Sequence, residues 1–501
     1  MSWIFRRGVG PQGESMKKTI LVGLGLMLSL HTASAVRQNG SKMIALSDCE
    51  VKNVPGKVKC GTLEVFENRA TKKGRMISLN IVVYPATGEK REPDPLVYFA
   101  GGPGSAATED APFVAQAFAK IRENRDLVFV DQRGTGHSHP LNCELFDKSD
   151  LQSYLGYFFP LEGVRKCRTE LESKADLKLY TTTIAMDDMD EVRAALGYEK
   201  LNLFGGSYGT RAALTYLKRY PQRVRAAILQ GVAPPNQYMP GDFPVVMERA
   251  LQGVLAACAA DEACNTAFPN VKAEAKAVLD QLIKAPVEVE LPNPNSSETV
   301  KIKLSRDLAA EAIRYMLYNP VPATRVPATL HLAAQGNFVP LARTALWYRQ
   351  NLVGSGSNGM YLSITCAEDL PWIKPGEGER LAANTFLGDY RLRQQREACA
   401  LWPRADVERG YAEPVRADVP VLILTGEWDP VTPPANGDQI AKTLANSLHI
   451  VVPDGAHGLG GLEGMDCIDR TLTEFVARGT TKDIDTACVK SVRRKGFALK
   501  L

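Results

Sequence analysis

The chain has 501 residues, more than one compact hydrophobic core usually holds, so we expect a main domain with a second body or a large insertion. Hydrophobic residues make up 45% and charged residues 23%, which is typical of a globular protein and excludes a disordered or fibrous one. Lysine and arginine number 60 against 56 acidic residues, a net charge of +4, without a long basic run. Nucleic acid is therefore not a predicted partner.

The first 35 residues have the pattern of an upstream extension followed by a secretory leader. Lys17 and Lys18 precede an apolar run over residues 20–30, and Ala-Ser-Ala at 33–35 then forms a cleavage site. Because the apolar run is too short to span a bilayer, we predict an exported protein, periplasmic or extracellular, that is cleaved near Ala35 and has no stable membrane anchor. Two arginines near the start leave a twin-arginine leader as the less favoured alternative.

The chain contains ten cysteines, an even number that suits disulfide bonds in an exported protein. The sequence leaves their connectivity open, but pairing each cysteine with its next neighbour gives five short closures that do not cross, and we take this as the expectation. No Cys-x-x-Cys pair occurs and the six histidines form no ligand-spaced cluster with the cysteines, so no metal site is predicted. The cysteines are Cys49, Cys60, Cys143, Cys167, Cys258, Cys264, Cys366, Cys399, Cys467 and Cys488.

Short apolar runs alternate with amphipathic helical patterns over most of the chain. Two runs with partial alternation are typical of antiparallel strands, and six continuous apolar runs are typical of strands covered on both faces. This βαβ alternation predicts an α/β fold with a mainly parallel sheet and helices on both faces. The eight predicted strands are residues 61–66, 76–84, 96–99, 127–130, 201–204, 226–229, 419–424 and 449–452, and helices are predicted between them at 186–196, 210–219 and 435–445.

The alternation stops between residues 234 and 415, where helical patterns dominate. We therefore predict an α/β core in two parts, residues 36–233 and 416–501, with a mostly helical insertion over residues 234–415. An insertion between two sheet strands commonly lies over the strand ends where ligands bind, so we expect it to act as a cap. Helical patterns in the insertion cover residues 243–260, 271–285, 308–317, 328–350 and 379–401.

The sequence Gly-Gly-Ser-Tyr-Gly around Ser207 joins an apolar strand to a helical segment. Small residues on both sides of a serine allow the tight, strained turn that exposes a nucleophilic hydroxyl above a sheet. The N-terminus of the following helix would point at this turn, so the N–H of Tyr208 is the predicted first oxyanion donor. An ordinary glycine-rich turn is the alternative, and the strand before and helix after Ser207 favour the catalytic interpretation.

A serine hydroxyl needs a base, and the base needs an orienting acid. Asp429 and His457 each follow an apolar strand, and the chain order serine, aspartate, histidine is typical of this kind of fold. Taken separately, Asp429 is compatible with a turn before Pro430, and His457 with a solvated loop. Together they predict a catalytic triad with Ser207, for which Glu427 is the less favoured acid.

The loop Ala-Gly-Gly-Pro-Gly occupies residues 100–104, directly after the predicted strand at 96–99. Its glycines allow the backbone to approach a substrate without side-chain obstruction, so the N–H of Gly102 is the predicted second oxyanion donor. A simple turn is the alternative.

These motifs resemble the proline iminopeptidase and tripeptidyl aminopeptidase family of serine peptidases. The resemblance spans essentially the whole mature chain and rests on the glycine-rich loop, Asp-Gln-Arg-Gly-Thr-Gly-His-Ser from Asp131, the serine turn and the surroundings of the predicted acid and base. Cys-Ala-Glu-Asp from Cys366 and Cys-Ala-Leu-Trp-Pro from Cys399 are similar to the tripeptidyl aminopeptidase branch. Ala100 stands where proline iminopeptidases usually have histidine, and Tyr208 where they have tryptophan, which also favours that branch.

The resemblance implies roles for two further pairs of residues. Asp131 and Arg133 are expected to brace the oxyanion loop and the strand ends without taking part in the chemistry. An aminopeptidase must hold a free N-terminal ammonium group with carboxylates at a fixed distance from the nucleophile, and Glu368 and Asp369 in the insertion are the candidates. Helix capping by this acidic pair is the alternative.

The sequence thus predicts an exported serine exopeptidase that hydrolyses short peptides from a free N-terminus through an acyl-enzyme, without a metal or organic cofactor. A cap would limit entry to short or unblocked peptide ends. A secreted carboxylesterase is the closest alternative, since the same triad cleaves esters. A non-catalytic binding module of the same fold is less favoured, because the triad is retained.

Overall fold

The computed structural model describes residues 43–51, 58–147, 150–293, 298–353 and 356–501. The leader predicted within residues 1–35 lies outside these described residues. The strands of the described residues are β1 (Ser47–Cys49), β2 (Val58–Phe66), β3 (Met76–Tyr84), β4 (Leu96–Phe99), β5 (Leu127–Val130), β6 (Leu201–Gly206), β7 (Val224–Gln230), β8 (Val287–Pro292), β9 (Thr299–Leu304), β10 (Val421–Gly426) and β11 (Ser447–Val452).

Nine of these strands form one sheet, in the order β1-β2-β3-β5-β4-β6-β7-β10-β11. The pairs β1–β2, β2–β3 and β3–β5 are antiparallel. The other five pairs of this sheet, from β5–β4 to β10–β11, are parallel. This architecture confirms the predicted α/β class, and all eight predicted strands lie in the sheet. Because parallel strands point the same way, the carboxyl ends of β4, β6, β10 and β11 lie along one edge, which is where ligands bind in such sheets.

The helices vary from one turn to five turns in length, and short 3₁₀ segments lie between some of them. The α-helices of the described residues are α1 (Ala107–Ala117), α2 (Ala119–Arg122), α3 (Leu151–Tyr154), α4 (Leu161–Glu172), α5 (Thr182–Ala195), α6 (Tyr208–Arg219), α7 (Phe243–Ala260), α8 (Glu262–Ala267), α9 (Val271–Lys284), α10 (Arg306–Met316), α11 (Pro320–Ala323), α12 (Val326–Ala334), α13 (Val339–Val353), α14 (Asn358–Ile364), α15 (Glu377–Ala382), α16 (Tyr390–Leu401), α17 (Pro434–Ala441) and α18 (Asp466–Arg478).

Apolar side chains cover both faces of the nine-stranded sheet. On one face, Met186 of α5 and Leu214 of α6 belong to the same buried cluster as the strand residues that point towards them. On the other face, Val114 of α1 and Phe475 of α18 belong to a second buried cluster, together with strand residues of that face. Burial on both sides explains why the central strands are continuous apolar runs without alternation.

The chain between β7 and β10 forms helices α7 to α16 and a separate two-stranded sheet of β8 and β9. Much of this segment packs around a buried cluster of its own, to which α7, α9, α10, α12 and α13 contribute. Among the described residues, α7 alone has the length and apolar composition to cross a membrane, and 56% of it is buried inside the protein, as in a core helix. The predicted mostly helical insertion is therefore present as a packed body.

Three local features of the insertion differ from the sequence prediction. The hairpin of β8 and β9 was not predicted, although its residues alternate between exposed and buried side chains along each strand. The single helix predicted over residues 328–350 is two helices, because the chain turns at Gly336, where φ is +90°. The helix predicted over residues 379–401 is likewise two, and Gly388 between them has a φ of +64°.

The described residues contain no free cysteine, and all ten cysteines form disulfide bonds. Each cysteine pairs with its next neighbour in the sequence, so the predicted connectivity is confirmed. Several disulfide bonds are typical of exported proteins. The pairs are Cys49–Cys60, Cys143–Cys167, Cys258–Cys264, Cys366–Cys399 and Cys467–Cys488.

The loops closed by two disulfides of the insertion differ in length, which predicts a ranking of their contributions to stability. Cys366 and Cys399 are 33 residues apart, whereas Cys258 and Cys264 are 6 apart. Loop-closure entropy predicts a loss of roughly 3 to 4 kcal/mol for the double variant Cys366→Ala/Cys399→Ala and roughly 2 kcal/mol for Cys258→Ala/Cys264→Ala. Urea unfolding followed by far-ultraviolet circular dichroism measures both losses. A larger loss from the shorter loop would contradict the entropic account.

Candidate active site

The turn between β6 and α6 places Ser207 at the carboxyl edge of the sheet. The backbone of Ser207 has φ 57° and ψ −126°, a conformation that residues other than glycine rarely adopt. Such a strained turn between a strand and a helix is the geometry that exposes a nucleophilic hydroxyl. The residue is partly accessible to solvent, whereas its neighbours on both sides are buried.

Two glycines make this turn possible, because a side chain at either position would overlap backbone atoms. A Cβ atom on Gly205 would overlap the backbone of Gly209 and lie 2.8 Å from the Cα atom of Thr210. A Cβ atom on Gly209 would overlap the carbonyl group of Phe99 at the end of β4. The turn is therefore packed closely against the strand that leads into the glycine-rich loop.

Backbone hydrogen bonds hold the nucleophile turn against the neighbouring strand. The N–H of Ser207 donates to the carbonyl oxygen of Gln230 at the end of β7, at 2.9 Å. The N–H of Thr210 donates to the carbonyl oxygen of Ser207, also at 2.9 Å. Tyr208 is the first residue of α6, so its N–H lies in the first turn of the helix, where N–H groups have no acceptor within the helix. This is the position expected of an oxyanion donor.

Asp429 and His457 lie on the loops after β10 and β11 and are joined by a hydrogen bond. The Nδ1 atom of His457 is 2.9 Å from Oδ2 and 3.1 Å from Oδ1 of Asp429. Asp429 is completely buried and accepts further bonds from the N–H groups of Val431 and Thr432, each at 2.8 Å. These donors fix the carboxylate, which in turn fixes the orientation of the imidazole.

The imidazole also lies beside the strand end to which Ser207 is bonded. Gly231 follows Gln230 directly, and a Cβ atom on Gly231 would lie 3.2 Å from Cε1 of His457. The predicted serine, aspartate and histidine therefore follow β6, β10 and β11 at one edge of the sheet, with the end of β7 between the serine and the other two. Glu427, the less favoured acid, instead accepts a bond from the N–H of Asp454 at 3.0 Å, on the loop that leads to the histidine.

The glycine-rich loop after β4 runs beside the nucleophile. A Cβ atom on Gly101 would lie 3.8 Å from Oγ of Ser207, and Gly102 has a φ of +115°, which only glycine adopts readily. Asp131 braces this loop, because its carboxylate accepts bonds from the N–H and the hydroxyl of Thr108 at the start of α1. These bonds favour the bracing role expected of Asp131, and they act on the helix that follows the loop.

Arg133 has the second bracing role that the sequence predicts. Its guanidinium group makes a bidentate ion pair with the buried Asp188 of α5, at 2.6 and 2.8 Å. It also donates to the carbonyl oxygen of Glu67, which follows β2, at 2.8 Å. Arg133 therefore ties α5 to the end of the antiparallel strand β2.

Glu368 lies in a short π-helical turn after α14 and is buried among protein donors. One carboxylate oxygen accepts the N–H of Thr182 at 2.6 Å, and the other accepts the hydroxyls of Thr182 at 2.7 Å and Tyr411 at 2.6 Å. The hydroxyl of Thr182 is also 2.7 Å from that of Tyr208. Burial raises the pKa of Glu368, against the lowering effect of these bonds. Both oxygens are occupied, so these contacts argue against the predicted binding of an ammonium group by Glu368.

Asp369 is buried beside Glu368 and forms an ion pair with α6, the helix that follows Ser207. Its Oδ1 atom accepts from Nη1 of Arg211 on α6 at 2.8 Å and from the N–H of Met239 at 3.3 Å. Burial raises the pKa of Asp369 to about 6, although Arg211 opposes this effect. The carboxylate pairs with a fully buried guanidinium through Oδ1, whereas its Oδ2 atom has no hydrogen-bond partner among the described residues, so the predicted ammonium-binding role of Asp369 stays a prediction. Neither residue caps its own helical turn through its side chain, but Glu368 accepts the N–H of Thr182, the first residue of α5.

Sequence reasoning missed four residues that hold the candidate site together. Thr182 links Glu368 to Tyr208 in the nucleophile turn, and Tyr411 donates a further hydrogen bond to Glu368. Arg249 of α7 donates to the carbonyl oxygens of Glu427 and Asp429, both at 2.9 Å. The carbonyl oxygen of Tyr318 accepts the N–H of Gly458 at 2.8 Å, and its ring lies 5.5 Å from the imidazole ring. No local motif marks these four residues, because each acts through a contact distant in sequence.

Comparison with known proteins finds relatives along most of the chain. A family model described as alpha/beta hydrolase fold matches residues 94–301, and one described as TAP-like protein matches residues 384–488. Serine protease Hip1 of Mycobacterium tuberculosis is 30% identical over 474 residues, covering 88% of this chain and 89% of that protein. Tripeptidyl aminopeptidase of Streptomyces lividans is 26% identical over 480 residues, covering 88% and 86%. Carboxylesterase B of Mycobacterium tuberculosis is 25% identical over 465 residues, covering 86% of each.

The fold, the strained turn at Ser207 and these relatives all indicate a serine hydrolase with the α/β-hydrolase fold. A relative that is 30% identical along nearly nine-tenths of both chains leaves little of this protein outside the shared architecture. The chain belongs to the tripeptidyl aminopeptidase-like family of α/β-hydrolase serine hydrolases.

Proposed function

We propose that this protein is an exported serine exopeptidase that hydrolyses short peptides from a free N-terminus. The observation that carries the proposal is the Asp429–His457 pair, joined at 2.9 Å, beside the strained turn of Ser207. The named relatives support peptide bonds as the target, since two of them are a serine protease and a tripeptidyl aminopeptidase. Export is supported by the five disulfide bonds.

In the proposed mechanism, His457 takes the proton of the Ser207 hydroxyl as the oxygen attacks the peptide carbonyl carbon. Asp429 holds the imidazole through Nδ1 and stabilises its positive charge. The N–H groups of Tyr208 and Gly102 stabilise the oxyanion of the tetrahedral intermediate. His457 then donates the proton to the leaving amine. A water molecule hydrolyses the acyl-enzyme by the same steps in reverse order and restores the free hydroxyl.

We assign the choice of short peptides to a cap formed by residues 234–415, between the two parts of the core at 36–233 and 416–501. The cap bonds directly to the loops that carry the triad, through Arg249 to the carbonyl oxygen of Asp429 and through Tyr318 to the N–H of Gly458. A body fixed so close to the histidine leaves little room for a folded polypeptide and favours entry of chain ends.

The carboxylesterase alternative has a specific observation in its favour. Carboxylesterase B is a relative along 86% of this chain, and a serine, histidine and aspartate triad cleaves esters as well as peptides. The two hypotheses share the triad and the oxyanion donors and differ in the substrate group that the cap recognises. A non-catalytic binding module would need none of these groups, so labelling of Ser207 by a fluorophosphonate separates it from both enzymes.

The first prediction concerns the triad itself. Ser207→Ala and His457→Ala should fold normally and lose hydrolysis by roughly 10⁴-fold to 10⁶-fold, because triad members act as a unit. Asp429→Asn should retain more activity, because the hydroxyl oxygen of Thr432 also lies 3.0 Å from Nδ1 of His457 and helps to hold the imidazole ring. Kinetics with a peptide and an ester substrate measure these losses. Glu427→Gln is the control, and a loss as large as that of Asp429→Asn would make Glu427 the acid.

The second prediction separates the aminopeptidase from the esterase. Peptides with a free N-terminus should be cleaved faster than their acetylated forms, and mass spectrometry should find short N-terminal fragments as products. An α-amino group titrates near pH 8, so kcat/KM for free peptides should fall above that pH while hydrolysis of a neutral ester does not. Equal rates for free and acetylated peptides, with the same pH profile as the ester, would contradict recognition of the ammonium group.

The third prediction tests whether Glu368 braces the nucleophile turn. Glu368→Gln places an amide N–H₂ among three protein donors, so at least one buried donor loses its acceptor, at a cost of about 1 to 3 kcal/mol in the free energy of unfolding. The activity should fall by the same factor for peptides and for neutral esters, through kcat rather than KM. A loss confined to peptides with a free N-terminus would instead restore Glu368 as an ammonium ligand.

A further inference from the structure

The insertion buries a second group of charged side chains, and their charges do not balance. We call the group of Glu311, Arg314, Arg349 and Arg391 the arginine cluster; each of these residues is at most 4% exposed. Arg314 and Arg391 both approach the carboxylate of Glu311, at 2.8 and 3.7 Å. Arg349 and Arg391 lie over the same ring, that of Phe158. Among these four charged residues, three guanidinium groups face one carboxylate, which leaves an excess of two positive charges within the group. Buried charge without compensation is costly, so this excess suggests that a negative group enters the cluster from outside the chain.

Two members of the arginine cluster have protein partners for their donors. Arg314 donates through Nε and Nη2 to Oε2 of Glu311, at 3.0 and 2.8 Å, and through Nη1 to the hydroxyl of Tyr318 at 2.7 Å. Arg349 donates through Nε to the carbonyl oxygen of Tyr154 at 2.8 Å. Burial lowers the pKa of Arg349 to about 10. These two arginines have clear structural roles.

Arg391 on α16 differs, because its donors are largely unoccupied. Its Nε and Nη1 atoms have no hydrogen-bond partner, although the side chain is buried. Nε lies 3.7 Å from Oε1 of Glu311, beyond hydrogen-bond distance, and that oxygen has no hydrogen-bond donor either. The guanidinium plane is held over the ring of Phe158, with Cζ 3.5 Å from the ring centroid. A flat, positioned guanidinium with two free N–H groups suits a carboxylate.

The arginine cluster adjoins the catalytic histidine through a single side chain. The ring of Tyr318 lies 5.5 Å from the ring of His457, and Cζ of Arg314 lies 5.3 Å from the same tyrosine ring. An extended peptide advances roughly 3.3 Å per residue, so two or three residues reach from His457 to this end of the cluster. A substrate that extends from Ser207 past Tyr318 would bring its neighbouring residues to Arg314, the near end of the arginine cluster.

We propose that the arginine cluster binds a carboxylate of the substrate, with Arg391 as the residue that donates to it through Nε and Nη1. The inference rests on the proposed function, because it assumes a substrate that extends from Ser207 into the cap. A carboxylate supplies both the missing charge and the missing acceptors. It comes either from the C-terminus of a short peptide or from an acidic side chain, and both have the same chemistry.

Matched substrates and a matched variant test the proposal. One pair of peptides differs in a free or amidated C-terminus, and a second pair differs in glutamate or glutamine beside the cleavage site. The variants are Arg391→Gln and, on the exposed side of the same helix, Arg393→Gln as the control. Wild type and Arg393→Gln should prefer the carboxylate form of one pair at least tenfold in kcat/KM. Arg391→Gln should reduce that preference to about twofold or less.

The pair that shows the preference identifies the source of the carboxylate. Arg391→Gln should also unfold at the same temperature as wild type or at a higher one, since it removes a buried charge whose donors lack partners. A lower unfolding temperature with the preference retained would make Arg391 structural and overturn the proposal. Absence of any preference in wild type would overturn it as well.

Neutral and acidic esters keep this test independent of the peptidase assignment. If the enzyme cleaves esters and not peptides, the comparison becomes a half-ester of a dicarboxylic acid against its diester. If wild type prefers the half-ester and Arg391→Gln loses that preference, carboxylate binding by the arginine cluster is supported although the proposed peptidase function fails. Equal rates for both esters in wild type, with peptides also uncleaved, would overturn both.

Discussion

The backbone turn at Ser207 is the constraint on which the remainder of the site depends. Its positive φ is maintained because Gly205 and Gly209 have no side chains and the turn packs directly against the end of β4. The same packing brings the glycine-rich loop beside the hydroxyl, and the bond from Ser207 to Gln230 aligns the turn with the strands that carry the acid and the base. One close backbone contact thus determines where Ser207 and the predicted oxyanion donors lie relative to each other.

The insertion is bonded to several loops of the candidate site. Arg249 binds the carbonyl oxygens that flank the acidic loop, and Tyr318 binds the backbone next to His457. Glu368 and Asp369 hold the nucleophile turn and its helix from the opposite side through Thr182 and Arg211. Loops at sheet edges are usually the most mobile part of such folds, and here three of them have partners in the insertion.

The sequence was sufficient for the sheet and for placing the three predicted catalytic residues at strand ends, because both follow from local patterns. Continuous apolar runs located the strands, and a motif at each strand end located Ser207, Asp429 and His457. Contacts between residues far apart in the sequence could not be predicted from local patterns. Glu368 and Thr182 are hydrogen-bonded although they are 186 residues apart, and Asp369 and Arg211 although they are 158 apart. An acidic pair looks the same in the sequence whether it faces a substrate or a buried guanidinium, so only the fold separates the two roles.

The pairing of each cysteine with its next neighbour has a consequence for biogenesis. A chain that crosses a membrane with its N-terminus first exposes its cysteines to the oxidising side one at a time. When a second cysteine emerges here, the only unpaired thiol already present is its native partner, so the order of emergence itself selects the correct bond. Under the proposed export, oxidation can therefore keep pace with translocation, and the chain has little need for later exchange between disulfides.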